Sequence, residues 1–139
     1  MRLDEFFYKK QIGFFEKNIN KIFGCDMIVL SKQYNFENRG FFKLSYHYLP
    51  HNYKIEIENE IKTFDINIEN KNMASNSLYR IKSFDNSLDE KNIIASLLLL
   101  KDVLEQNNFY WYYRKNNKLY RKKDDKIKRV RSIKDILNG

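Results

Sequence analysis

The chain has 139 residues, of which 26 are Lys or Arg and 18 are Asp or Glu, so its formal net charge is +8. This length suits one domain over residues 1–139, because two independent cores would each fall near the lower size limit for stable folding. The single cysteine excludes an intramolecular disulfide, and apolar runs such as residues 97–100 are too short to span a bilayer. The first residues also lack the apolar segment of a secretory signal. We therefore expect a cytoplasmic protein with no membrane contact.

The net charge is concentrated at one end of the chain. Residues 1–108 hold 15 basic and 15 acidic side chains and form a neutral body. Residues 109–139 hold 11 basic and three acidic side chains, so this segment supplies the whole excess of +8. It also contains the only tryptophan and the aromatic run of residues 109–113. A partner attracted by charge should therefore meet this segment.

The first half of the chain predicts a helix followed by strands. Apolar residues recur at three- and four-residue spacing from Tyr8 to Ile22, which indicates a helix, and Gly24 is a natural stop. Alternating apolar and polar residues over 53–61 and 64–69 predict two half-buried strands joined by a tight turn, with Ile61 pointing inward. The same alternation at residues 79–82 predicts a further strand.

The second half predicts a helix and a hairpin. Ser87 and Glu90 fit a capping box that opens a helix, and Asn107 and Asn108 close it. Residues 109–114 and 118–122 flank an Asn-rich turn and predict a β-hairpin, with a third strand over residues 126–131 and a short closing helix over 132–137. The apolar stripe of the central helix is Ile93, Ile94, Leu97, Leu98 and Leu104, interrupted by Lys101.

The order of these elements predicts an α+β fold. Strands joined by short turns favour a mostly antiparallel sheet, here of about five to eight strands. The N-terminal helix and the central helix would pack on one face of that sheet.

Catalytic and metal sites have weak support in the sequence. Pro50 separates His47 from His51 and prevents a helical pair of metal ligands, and Cys25 has no evident partner, so we expect no metal, no cofactor and no catalytic residue. Glu58, Glu60 and Lys62 leave one alternative, a metal-dependent nuclease.

The aromatic and basic segment is the strongest candidate site. Strand alternation places Tyr110 and Tyr112 on one face and Trp111 and Tyr113 on the other, so one row should be exposed. Exposed aromatic rings beside cations can stack on nucleic-acid bases, and they are equally typical of protein-binding hot spots. The candidate partner-binding residues are Trp111, Tyr113, Arg114, Lys118, Tyr120, Arg121, Lys123, Arg129 and Arg131.

The order of motifs resembles the small α+β immunity proteins encoded beside bacterial contact-dependent and polymorphic toxins. The resemblance is carried by the alternating hairpin at residues 53–69, the helix that follows Ser-Leu-Asp-Glu at 87–90, and the final Phe-Tyr-Trp-Tyr-Tyr-Arg hairpin at 109–114. It implies a non-enzymatic protein that binds and neutralises a cognate toxin. Because the tail is basic, that toxin would need an acidic docking surface. The alternative is a nucleic-acid-binding protein or a phage-encoded inhibitor of a nucleoprotein complex that uses the same hairpin.

Overall fold

A computed structural model describes residues 3–36 and 40–132 and has the α+β architecture that the sequence predicts. Its α-helices are α1 (Leu3–Phe23), α2 (Leu78–Ile81) and α3 (Glu90–Gln106), and short 3₁₀ turns lie at Gly24–Asp26 and Leu49–His51. The strands of the described residues form one antiparallel sheet of eight: β1 (Met27–Asn35), β2 (Phe41–Tyr48), β3 (Tyr53–Glu60), β4 (Thr63–Glu69), β5 (Ser75–Ser77), β6 (Trp111–Lys115), β7 (Lys118–Lys123) and β8 (Lys126–Arg129).

The strands follow one another across the sheet in chain order, from β1 at one edge to β8 at the other. Each neighbouring pair is antiparallel, so short turns connect most strands. The exception is the connection from β5 to β6, which contains α2 and α3. The basic segment of the sequence therefore forms three strands at one edge of the sheet.

The alternation of β3 and β4 builds the centre of the core. Ile55 pairs with Ile68 and Ile57 pairs with Ile66, and all four side chains are fully buried. Helices α1 and α3 contact each other and cover this face, while the other face carries the alternating polar residues. Other fully buried members of the core are Phe15, Phe42, Leu44, Leu78, Ile93, Leu97 and Leu100.

The inward position at the end of β3 is Asn59, so the prediction that Ile61 points inward was wrong. Ile61 and Lys62 form the two-residue turn between Glu60 and Thr63, and Ile61 has a φ of 56° and an exposed side chain. The Asn59 side chain is buried, and its Nδ2 donates hydrogen bonds to Gly40 O and Ile61 O. The turn therefore begins two residues after a buried polar side chain that holds its backbone.

The predicted strand at residues 79–82 was also wrong, because residues 78–81 form the helix α2. The Ser77 side chain accepts a hydrogen bond from Arg80 N at 3.1 Å, and Asp65 Oδ1 accepts one from Tyr79 N at 3.4 Å. These two side chains satisfy backbone donors of the first turn, which the alternation of apolar residues does not reveal.

Helix α3 begins two residues later than the capping-box pattern predicts. Asp89 is its N-cap, and Oδ1 of Asp89 accepts a hydrogen bond from Asn92 N at 2.9 Å. The buried stripe is also rotated from the predicted one, because Ile94 and Leu98 are exposed. The buried positions of α3 are Ile93, Ser96, Leu97, Leu100, Val103 and Leu104.

The predicted ends of the two long helices are confirmed. Gly24 follows α1 with a φ of 56°, and Asn107 follows α3 with a φ of 49°, both in the left-handed region. The predicted closing helix at 132–137 lies almost wholly outside the described residues, which end at 132. Within the described part of the chain, no helix has the length and apolar character needed to cross a bilayer.

Candidate functional site

Tight turns set the geometry of the basic strands β6, β7 and β8. Asn116 and Asn117 join β6 to β7, and Asp124 and Asp125 join β7 to β8, and all four residues have positive φ. Asn and Asp tolerate this conformation, which is the one that two-residue hairpin turns require. The predicted hairpin and third strand are therefore confirmed, and their registers are fixed by local chemistry.

The hairpin is attached to the sheet mainly through β5. Ser75 is the strand residue that pairs with Tyr112, and Nδ2 of the buried Asn76 donates a hydrogen bond to Tyr110 O at 2.9 Å. Residues that are paired across neighbouring strands lie on the same face of the sheet. The pairing of Ser75 with Tyr112 therefore places Tyr112 on the face away from the helices. It assigns Trp111 to the same side as the helices.

We call the helix-side surface of β6–β8 the Trp111 face. Its register places Trp111 opposite Lys122, and Lys122 opposite Ile127. The next row is Tyr113, Tyr120 and Arg129, in which the two tyrosine rings stack with centroids 5.7 Å apart. Each of these two rows thus combines at least one aromatic ring with one cation.

Trp111 is held in place from the body of the protein. Its half-buried ring lies 4.9 Å from the Tyr53 ring and 4.7 Å from the Phe109 ring, measured between centroids. The Tyr53 hydroxyl donates a hydrogen bond to Asn107 Oδ1 at 2.7 Å. Burial raises the pKa of Tyr53 above its ordinary value, although this hydrogen bond acts in the opposite direction. The Trp111 ring is therefore fixed by aromatic contacts with Tyr53 of β3 and with Phe109 in the loop after α3.

A cleft of about 450 Å³ opens beside Trp111. Three loops form its rim: residues 70–74 between β4 and β5, residues 107–109 after α3, and the β7–β8 turn. The cleft is lined by aromatic and aliphatic side chains and by charged groups of both signs. Two of these charged groups form an ion pair, with Lys122 Nζ 3.9 Å from Asp125 Oδ1. The residues that line the cleft include Asn70, Asn72, Asn107, Asn108, Trp111, Tyr113, Lys122, Lys123, Asp124, Asp125 and Ile127.

On the opposite face of the hairpin, the side chains are more buried than the sequence predicts. Tyr112 is buried, and the Arg80 guanidinium lies 5.3 Å from its ring centroid. Arg121 is only 6% exposed, and its guanidinium lies 4.4 Å from the centroid of Tyr110. Both aromatic rows are thus at least partly buried, because side chains from α2 and β7 cover the second row. The expectation of an exposed row is therefore met only in part, by the half-buried Trp111 and Tyr113.

The candidate residues therefore separate into three groups. Arg114, Lys118, Arg129 and Arg131 are exposed, and Trp111, Tyr113, Tyr120 and Lys123 are half-buried. Arg121 is buried, so we do not include it in the surface available to a partner. Sequence reasoning missed the contribution of the loops, whose only signal was their Asn content: Asn70, Asn72, Asn107 and Asn108.

Among the acidic side chains of β3 and β4, Glu56 and Asp65 have shifted pKa values. Burial alone would raise the pKa of Glu56, but Lys54 at 2.7 Å and Lys43 at 3.3 Å hold it below its ordinary value. Asp65 pairs with Glu58 across β3 and β4, and burial raises its pKa although it accepts backbone hydrogen bonds from Ile66 and Tyr79. No group of three His, Cys, Asp or Glu side chains in metal-binding arrangement was found in the described part of the chain.

The lone cysteine and the two histidines are not part of the Trp111 face. Cys25 is exposed in the turn after α1, whereas lone cysteines are more often buried as small apolar groups. His47 Nε2 lies 3.2 Å from Asn52 Oδ1. The His51 ring is in contact with the rings of Tyr48 and Tyr53.

Comparison of the sequence with protein-family models and curated proteins, and of the fold with solved structures, gave no match.

Proposed function

We propose that this protein is a non-enzymatic binding module that uses the Trp111 face to dock on an acidic surface of another protein. The observation that carries the proposal is the fixed, half-exposed Trp111 in a cleft that also contains Lys122 and Lys123. Trp, Tyr and Arg are the residues that dominate the energy of protein interfaces. A ring already held by its neighbours loses little conformational entropy on binding, so more of the contact energy contributes to affinity.

The mixed charge of the cleft favours a protein partner over a nucleic acid. Asp124 and Asp125 lie at the rim beside Lys122 and Lys123, and their carboxylates would repel phosphate groups. A protein surface can present carboxylates to the lysines and a polar or basic group to the aspartates, which gives both specificity and fast encounter. Within this proposal the partner is a cognate bacterial toxin, and the module acts as its immunity protein in the cytoplasm.

The experiment is rescue of growth during co-expression with the product of the adjacent open reading frame, followed by co-purification. We expect protection by the wild type and loss of protection in the double variant Lys118→Glu/Arg129→Glu, because two exposed cations of the docking surface become anions. The matched control is Lys10→Glu/Lys17→Glu, which makes the same change in charge at exposed positions of α1. Protection that survives Lys118→Glu/Arg129→Glu, or a neighbour that neither harms the cell nor binds, would refute the proposal.

The stacked pair Tyr113 and Tyr120, with Arg129 beside it, favours a second candidate, binding of single-stranded nucleic acid. Fluorescence of the only tryptophan gives a direct titration with oligonucleotides. Phosphate contacts would make the affinity fall steeply with salt, and Lys118→Glu/Arg129→Glu would reduce that salt dependence. Absence of binding at low salt would exclude this candidate and leave the protein partner.

A further inference from the structure

The two edges of the sheet carry different kinds of side chain. The strand at one edge, β8, is basic, with Lys126, Lys128 and Arg129 exposed. Charged residues along an edge strand prevent it from pairing with the edge of another chain. At the other edge, β1 exposes the three consecutive apolar residues Ile28, Val29 and Leu30, an arrangement that solvated strands normally avoid.

The only charged side chain of β1 forms an ion pair with α1 and therefore does little to prevent pairing at this edge. Lys32 is the one charged residue between Met27 and Asn35, and its Nζ lies 2.6 Å from Glu16 Oε2 on α1. This ion pair compensates the charge and draws the side chain toward the helix. The β1 edge is therefore long, apolar at residues 28–30 and close to neutral, whereas β8 is basic.

We infer that β1 is a self-association edge, where β1 of a second copy pairs with it in antiparallel orientation about a two-fold axis near Ser31. In this register Lys32 of one copy lies opposite Leu30 of the other, so the cations do not oppose each other. Pairing of two β8 edges would instead place like charges together, and pairing of β1 with β8 would be heterologous and open-ended. A second copy is thus the occupant that the charge pattern of both edges favours.

The dimer should be weak and dependent on concentration. A strand of nine residues offers an edge of about 30 Å, and one such contact lies at the low end of specific interface areas. The register between β1 and β2 also shifts between Val29 and Ser31, which increases the local twist and limits the regular ladder. The Trp111 face is at the other edge of the sheet, so this inference stands apart from the proposed function.

The test is the mass in solution across a dilution series, measured by analytical ultracentrifugation. We expect the wild type to shift from twice the monomer mass toward the monomer mass on dilution, and Leu30→Lys to remain monomeric, because it places lysines opposite each other. Leu98→Lys is the matched control, since Leu98 on α3 and Leu30 are both leucines that are 53% exposed. A wild type that is monomeric at every concentration, or a dimer that persists in Leu30→Lys, would overturn the inference.

A cross-link tests the register without relying on a charged variant. In a Cys25→Ser background, Ser31→Cys places one thiol beside the two-fold axis, where facing Cα atoms of an antiparallel pair are about 4.5–5.5 Å apart. This separation suits a disulfide. We expect rapid formation of a disulfide-linked dimer, and much slower formation in the control Cys25→Ser/Ser83→Cys, whose new thiol is exposed before α3. Equal rates in the two variants would contradict the pairing at β1.

Discussion

Substitution of Asn59 should lower the free energy of unfolding, because its small side chain makes three hydrogen bonds to the backbone. It is 6% exposed in β3, and its side chain bonds to three backbone groups, two at the start of β2 and one in the turn after β3. Its Oδ1 accepts a hydrogen bond from Phe42 N at 2.7 Å, and its Nδ2 donates to Gly40 O at 2.6 Å and to Ile61 O at 3.0 Å. Replacement by Ala or Leu removes all three hydrogen bonds.

The expected cost follows from how well water can replace the lost bonds. The bonds to Phe42 and Gly40 are buried, whereas the bond to Ile61 is only partly buried. A buried backbone group left without a partner costs about 1–3 kcal/mol, while water can compensate Ile61 O in part. We therefore expect Asn59→Leu to lower the free energy of unfolding by about 3 kcal/mol, a large share of the roughly 5–15 kcal/mol of an ordinary domain.

Urea denaturation followed by the fluorescence of Trp111 measures this loss. The midpoint should fall in both Asn59→Ala and Asn59→Leu with little change in slope. Because Leu has as many side-chain heavy atoms as Asn and leaves no cavity, a similar loss in both variants assigns the effect to the hydrogen bonds and not to a cavity. Asn67→Ala, on the polar face of β4, is the control and should change stability by less than about 1 kcal/mol. A loss below about 0.5 kcal/mol in Asn59→Leu would refute the assigned role.

Three further changes have expected directions and simple measurements. Gly40→Ala should destabilise the protein by about 2 kcal/mol or more, because φ is 66° and a Cβ would overlap the Tyr8 ring. Gly13→Ala should stabilise it by about 0.5–1 kcal/mol, because this helix position has open space for a Cβ. Thermal melts in which Gly40→Ala is as stable as Gly13→Ala would contradict both expectations. Asp89→Ala should cost about 1 kcal/mol and Ser87→Ala less, and the reverse order in urea denaturation would restore Ser87 as the cap of α3. Burial, with a smaller effect of Glu16, raises the pKa of Tyr46 to about 12. The unfolded chain therefore ionises first, stability falls as the pH rises from about 10 toward 12, and Tyr46→Phe should make that fall shallower in urea denaturation at pH 9 and pH 11.

Much of the fold could be predicted because its signals are local. The alternation of Ile55, Ile57, Ile66 and Ile68 specifies which face of two strands is buried, whatever packs on it. The Asn116–Asn117 turn likewise sets its hairpin through its own backbone preferences. Errors arose where a hydrogen bond from elsewhere overrode the pattern, as when Asp65, 14 residues away, contributes to holding Tyr79 in a helical turn.

The sequence predicted where the candidate site lies but not which of its side chains are buried or in contact. Charge and aromatic content identified the hairpin, and the register then fixed which residues share a face. The burial of Arg121 depends on Tyr110, and the position of Trp111 depends on Tyr53, which lies in β3. Neither contact has a periodic signal, because each joins side chains from different strands or from distant parts of the chain.

The sequence by itself determined the antiparallel α+β fold, the Asn116–Asn117 turn and the confinement of the net charge to the C-terminal strands. These follow from backbone preferences and hydrophobic periodicity, which act between residues a few positions apart. Only the tertiary structure decided that Asn59 is an internal anchor, that Arg121 is buried and that Trp111 lies half-exposed in a cleft. It also placed the apolar β1 and the basic β8 at opposite edges of one sheet. Such outcomes depend on which surfaces meet when distant segments pack together, and a linear pattern of residues does not encode that choice locally.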